Sequence, residues 1–256
     1  MAWYAYCITE QRAFQGSVRA RRPFPIEEMH GVGGAQILGY PSGEFAVIVS
    51  EYVRDGLLDQ RAVLEHARVV SECFRNTTVL PFRFGTVFDS DEALRRAVRG
   101  NRRIFLASVA NLRGKSEMHL KLIVREGSLL QAVVEQTPAG TGNQYLTQLR
   151  ARAAREREAQ TKARALSVQV HKLLNPLQEE VCCKKADSGA LLLDIAHLID
   201  SKTVPKYQNR CTAAMRQLKD CEVVVSGPWP PYHFMPGKLR TVNGVDGTKP
   251  RASGCA

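Results

Sequence analysis

Residues equipped for covalent or metal chemistry are few in this chain and poorly spaced. Cys182 and Cys183 are neighbours on a stretch that reads as a strand, so their side chains point to opposite faces. Structural zinc sites favour Cys-x2-Cys pairs, and none occurs. His171 and His197 would complete a ligand set only if the fold carried them to the cysteines. Gly31, Gly33 and Gly34 invite a dinucleotide reading, but G-x-G-x-x-G needs glycine at Gln36 and a strand immediately before it. Turn formation accounts for these glycines. The serine-hydrolase elbow, the zincin motif and the Walker loop are absent, and the acids are mostly interleaved with basic residues. Catalysis needs a nucleophile, a base and an orienting group within reach, or a metal. The chain is therefore read as a non-enzyme, with no catalytic residues, metal or cofactor.

What the sequence offers instead is recognition chemistry. Residues 227–234, Gly227-Pro228-Trp229-Pro230-Pro231-Tyr232-His233-Phe234, carry three prolines that fix φ and remove backbone donors. The stretch is expected to be stiff, close to polyproline II, and unable to continue as a central strand. Trp229, Tyr232 and Phe234 then ride on a backbone with little entropy left to lose, which suits docking on an apolar or proline-tolerant surface. Folding back to plug the protein's own core is the alternative, and both can hold at once. Residues 80–88 are the second informative stretch. At a period of two, Phe82, Phe84, Thr86 and Phe88 share one strand face, and Arg83 and Gly85 the other. The phenylalanines read as core. Arg83 has two readings: an anchor for a partner's carboxylate, or one half of an internal ion pair.

At 256 residues, 44% apolar and 24% charged, the chain is long enough for one large or two ordinary soluble domains. No apolar run approaches the about 18 residues needed to span a bilayer. Residues 1–8 read as a strand, with neither the basic start nor the cleavage site of a secretory signal. Seven irregularly spaced cysteines point to reduced thiols in a cytoplasm. The net charge of +11 points to an acidic or polyanionic partner, but arginine, its main source, is spread along the chain rather than gathered in an arm.

The elements that must position these stretches follow from periodicity and punctuation. Residues 2–8 read as a strand and 9–34 as an irregular crossover. Residues 35–40 and 45–50 make a hairpin around Pro41-Ser42-Gly43-Glu44. Asp59 caps a helix to Asn76, with Val63, Ala67, Val70 and Phe74 as its buried stripe and His66 at the flank. Asp89 and Glu92 start the next helix in capping-box fashion. Gly100-Asn101 interrupt it, a second piece carries Ile104, Phe105 and Leu112, and Gly114 ends it at a domain boundary. Residues 118–124 read as a strand, 128–136 as a short helix, and 143–174 as a long helix. Tyr145, Leu149, Ala153, Ala163, Leu166, Val170 and Leu173 share one side of that helix. Its charged middle reads as a solvated face projecting past the body. Residues 179–185 and 190–200 are strands around Asp187-Ser188-Gly189. Tyr207, Cys211, Ala214 and Leu218 mark a helix, and residues 222–226 the last strand. This is the element order of a split βαβ, ferredoxin-like fold. The expected class is α+β: a variant ferredoxin-like domain over 1–114, a ferredoxin-like domain over 115–234, and a disordered basic tail over 235–256.

Some basic ferredoxin-like domains bind RNA, so a single-stranded RNA-binding module is the alternative function. Residues 82–88 lack the Lys/Arg-Gly-Phe order of such modules, and three prolines fit a protein surface better than stacked bases. Taken together, Leu-Pro-Phe-Arg-Phe-Gly-Thr-Val-Phe at 80–88 and Gly-Pro-Trp-Pro-Pro-Tyr-His-Phe at 227–234 resemble the two hallmark segments of the gas vesicle GvpF/GvpL family. Residues 31–52, with their Gly-x-Gly-Gly start and Phe-Ala-Val-Ile-Val-Ser-Glu strand, are similar to its early block. The likeness spans residues 2–234. It implies a minor, non-enzymatic protein of gas vesicle assembly with two ferredoxin-like domains, cytoplasmic and associated with the vesicles. The implied partners are the small, very hydrophobic shell protein and other accessory proteins, with neither nucleic acid nor membrane. Arg83, Trp229, Pro230, Pro231, Tyr232 and Phe234 are the expected partner contacts. Phe82, Phe84, Gly85, Phe88, Gly227 and Pro228 are the expected structural residues.

Overall fold

The computed structural model describes residues 1–11, 26–53, 58–124, 142–174, 180–185, 191–217 and 221–236. The helix expected at 128–136, the turn at 187–189, Leu218 and the tail from 237 onward lie outside them. The chain divides into two compact units, Met1–Lys115 with Pro230–Ala256, and Ser116–Trp229. Both are mixtures of helix and strand, and the strand pairs that carry a register are antiparallel.

The first unit is organised on β1 (Trp3–Glu10), whose aromatic and β-branched residues are buried almost throughout. β2 (Ile37–Ser42) and β3 (Phe45–Glu51) form a hairpin whose turn puts Gly43 at φ +63. β3 pairs with β1, setting Tyr4 opposite Ser50. After α1 (Gln60–Asn76), the short strands β4 (Leu80–Pro81) and β5 (Val87–Phe88) also pair with β1. The sheet order is β2-β3-β1-β4, with β5 beside β1. α2 (Asp91–Gly100) and α3 (Arg102–Leu112) complete the unit, and Gly114 follows at φ +72.

Three expectations are corrected here. Asp59 does cap α1, accepting the Ala62 N–H at 2.9 Å, but the buried stripe is Ala62, His66, Val69, Val70 and Cys73, and Val63 is exposed. The stripe sits one residue away from the expected one because a histidine lies at its centre. The second helix is capped by Ser90, not Asp89: the Ser90 hydroxyl accepts the Ala93 N–H at 3.2 Å. Residues 80–88 are not one strand. Between β4 and β5 the Thr86 N–H and hydroxyl both donate to the Arg83 carbonyl, at 3.1 and 2.6 Å, and Gly85 takes φ +79. That turn ends the period of two.

The second unit runs β6 (Lys115–Val124), α4 (Gly142–Leu174), β7 (Glu180–Lys185), β8 (Leu191–Asp200), α5 (Val204–Gln217) and β9 (Cys221–Trp229), in sheet order β7-β8-β6-β9. Its core joins Met118, Leu120 and Leu122 of β6 to Ile195, Ile199, Tyr207, Cys211 and Val223. Tyr145, Leu149 and Ala153, expected on one side of α4, are exposed, and the exposure of Ala153 fits the solvated middle. The helix is 33 residues long, about 50 Å at 1.5 Å per residue, longer than any strand it accompanies. β9 passes the expected end at Ser226 and continues through Pro228 to Trp229. This is possible because β9 is the sheet's last strand, where a missing N–H can face away from the ladder. No helix among the described residues is long and apolar enough to cross a membrane.

Candidate functional site

Two tyrosines of β1 hold the loops of the first unit in place. The Tyr4 hydroxyl bonds His66 Nδ1 on α1 at 3.0 Å and accepts the Gly85 N–H at 3.1 Å. The Tyr6 hydroxyl accepts the Val32 N–H at 2.8 Å and bonds the Ser50 hydroxyl at 2.9 Å. Gly31 allows this approach, since a Cβ there would fall 2.0 Å from the Tyr6 oxygen. Gly33 and Gly34 form a turn at positive φ, and Glu65 accepts the Gly33 N–H at 2.9 Å. Burial pushes both tyrosine hydroxyls up, and it pushes His66 down to about 4. His66 is thus neutral at physiological pH and can take the Tyr4 proton donor on Nδ1. Sequence reasoning passed over Tyr4 and Tyr6, although the alternation Trp3-Tyr4-Ala5-Tyr6 was a visible signal, and it placed His66 only at the helix flank.

The hallmark loop hangs from this network. Phe82 is buried and meets Phe88 edge-on, with centroids 6.0 Å apart. Phe84 stands edge-on to His66 at 5.9 Å and to Tyr4 at 6.4 Å, yet remains 37% exposed. Arg83 is exposed, and its expected internal ion pair has no counterpart among the described residues. Neighbouring arginines behave otherwise: Arg61, Arg75, Arg99, Arg102 and Arg113 pair with Glu65, Glu72, Glu92, Glu44 and Glu10. A second unforeseen network joins Trp3, whose Nε1 donates to Asp91 at 2.8 Å, and Tyr40, whose hydroxyl donates to the same carboxylate at 3.1 Å. The bond from Trp3, then that from Tyr40, holds the Asp91 carboxyl below its ordinary range.

The proline strip is not polyproline II. Gly227 takes φ +122 and precedes a cis bond to Pro228; a Cβ on it would lie 2.9 Å from both the Glu117 carbonyl oxygen and the Met118 sulfur. Trp229 closes β9, donating from Nε1 to the Ser226 hydroxyl at 3.1 Å. Pro230 and Pro231 are buried, and Tyr232–Phe234 fold into a 3-10 turn in which the Tyr232 N–H donates to the Pro230 carbonyl at 2.8 Å. The prolines are thus packed away while Trp229 and Tyr232 are displayed and Phe234 is half-buried.

The described cysteines are not poised for nucleophilic chemistry. Cys7, Cys73 and Cys211 are buried free thiols, and burial pushes Cys211 up to about 11 and Cys7 upward as well, which suppresses the thiolate. His197 is buried with Nδ1 bonded to the Tyr207 hydroxyl at 2.6 Å. The side chains of Cys182, Cys183 and His171 lie outside the described residues.

Comparison with known proteins agrees with these two segments. Residues 2–236 match a family model described as gas vesicle synthesis protein GvpL/GvpF. The chain is 26% identical over 245 residues to gas vesicle protein F of Streptomyces sp. (strain CB03234), covering 86% of this chain and 97% of that protein. It is 27% identical over 258 residues to gas vesicle protein L of the same strain, covering 90% and 91%. Its fold is similar to the crystal structure of GvpF from Anabaena sp. PCC7120, with TM-score 0.71, 18% identity, and coverage of 92% of this chain and 96% of that one. For GvpF from Microcystis aeruginosa the TM-score is 0.69 at 19% identity, covering 92% and 99%. A match that runs from β1 past the proline strip, and takes in both hallmark segments, makes this chain a member of the gas vesicle GvpL/GvpF family.

Proposed function

We propose that the chain is a non-enzymatic accessory protein of gas vesicle assembly, which binds the hydrophobic shell protein in the cytoplasm and escorts it or nucleates its polymerisation. The observation that carries this is the display of Trp229 and Tyr232, 44% and 38% exposed, on a backbone fixed by Gly227, Pro228, Pro230 and Pro231. Rings held this way lose little entropy on docking. A subunit that polymerises through apolar surface needs such cover before it is incorporated. Arg83, exposed beside Phe84, adds a cation for a partner's carboxylate, and the +11 body steers acidic partners, other accessory proteins included. The chain is read as two split βαβ domains, 1–114 and 115–234, because β2-β3-β1-β4 and β7-β8-β6-β9 are the strand orders that arrangement produces.

The test is capture by immobilised shell protein. The Trp229→Ala, Tyr232→Ala double variant is expected to keep its thermal midpoint and lose capture. Unchanged capture refutes the dock, and a lowered midpoint with capture intact assigns the rings to the protein's own core.

A further inference from the structure

An amphipathic helix earns its stability by burying its apolar stripe, and α1, α2, α3 and α5 each do so. α4 departs from that pattern. It adjoins α5 and β8, yet every residue from Tyr145 to Ala154, about 15 Å of helix, is exposed. Three of them are large and apolar: Tyr145, Leu146 and Leu149, at 62%, 52% and 42% exposure. At about 3.6 residues per turn they are gathered rather than scattered. Tyr145, Leu149 and Ala153 run along one face with Leu146 beside them. Arg150 and Arg157 border that face on one side and Arg152 on the other, all three exposed. Residues 145–154 contain no acid, and Glu158 is exposed on the opposite face. An apolar stripe with a cationic border on both sides is the pattern by which one helix selects another.

From this we infer that residues 145–153 of α4 are a helix-docking stripe, and that its occupant is an amphipathic helix of another protein whose apolar stripe is bordered by Asp and Glu. The surface is additional to the Trp229 and Tyr232 dock and does not depend on it. Charge complementarity selects the occupant: with arginine on both borders, only an acidic border satisfies the stripe in either orientation. A second copy of α4 laid on it, parallel or antiparallel, sets arginine against arginine. A lipid surface is held by a broad face of bulky side chains, whereas this stripe narrows to Ala153 after Leu149. Nucleic acid would engage the arginines and leave Leu146 and Leu149 in water. A helix covers both parts at once, and Ala153 lets its axis come close.

The test is fluorescence anisotropy on the full chain with two labelled synthetic helices, which share a Leu/Ala stripe and differ in having glutamate or lysine along its borders. The native chain is expected to bind the glutamate-bordered helix and not the lysine-bordered one. The Arg150→Glu, Arg152→Glu double variant, at two exposed positions, is expected to keep its thermal midpoint, weaken the glutamate-bordered helix by about tenfold and take up the lysine-bordered one. Leu149→Ala, also exposed, is expected to weaken binding several-fold. No binding of the glutamate-bordered helix overturns the inference, as does equal binding of the two helices or a preference that survives the charge reversal. A single-stranded RNA oligonucleotide or anionic vesicles bound more tightly than the helix, and lost on the same reversal, overturn it in favour of those ligands. Shell-protein capture, read separately, decides the ring dock, so either surface can fail without the other.

Discussion

Acidification should loosen the first unit through one residue, His66. Its ring stacks on Tyr6 with centroids 5.5 Å apart, meets Tyr4 and Phe84 edge-on, and is 3% exposed. Desolvation holds the folded imidazole down to about 4 against an ordinary 6.5, while the Phe82 backbone acts in the opposite direction. The unfolded chain therefore binds the proton more readily than the folded one. Stability is full above about pH 6.5, falls as pH drops, and levels off below about pH 4. The whole difference is worth about 3 kcal/mol, of which about 2 kcal/mol is lost between roughly pH 7.5 and pH 5. Asp91 and Glu44, whose carboxyls are held below their ordinary values of 3.8 and 4.5, lose their contributions only at lower pH, outside that window. Trp3 and Trp229 are the two tryptophans, so Trp3 fluorescence in a Trp229→Phe background reports on the first unit alone during urea unfolding. The unfolding midpoint should fall across this window in the His66 protein and stay nearly level in His66→Gln. Equal slopes for the two would refute the reasoning.

Gly227→Ala should destabilise the second unit by about 2–4 kcal/mol in urea unfolding, since it combines a left-handed φ with a Cβ 2.9 Å from the Glu117 carbonyl oxygen. Asp59→Ala should cost about 1 kcal/mol in the first unit by removing the cap on the Ala62 N–H, and Asp59→Ser should recover most of it.

Local signals were legible wherever the chain decides its own conformation. Asp59 before an apolar period, Gly100-Asn101 between α2 and α3, Pro41-Ser42-Gly43-Glu44 in the hairpin and Gly142–Leu174 as one long helix all follow from capping, turn and propensity chemistry. The failures are non-local. His66 looked like a polar flank because its burial depends on a tyrosine 62 residues away. The phenylalanine alternation over 80–88 looked like one strand because the Gly85 N–H is drawn off by Tyr4, 81 residues away. β9 outran its expected end because a proline is tolerated at a sheet edge, and edges are a property of topology rather than of sequence.

The two hallmark segments divide into residues the fold requires and residues it does not. Gly85 supplies a positive φ and an N–H for Tyr4; Gly227 fits where no Cβ can; Phe82, Pro230 and Pro231 are buried. That reasoning does not reach Arg83, and Trp229 and Tyr232 stay 44% and 38% exposed. Each buried Å² of apolar ring would contribute about 25 cal/mol, and a fold selecting for its own stability would draw these rings inward or use small polar residues in their place. Leaving two large rings partly exposed instead carries a risk of nonspecific association. Under the docking role proposed above, a partner's surface covers them, which is why the ring variants are expected to separate binding from stability while the glycine variants are not.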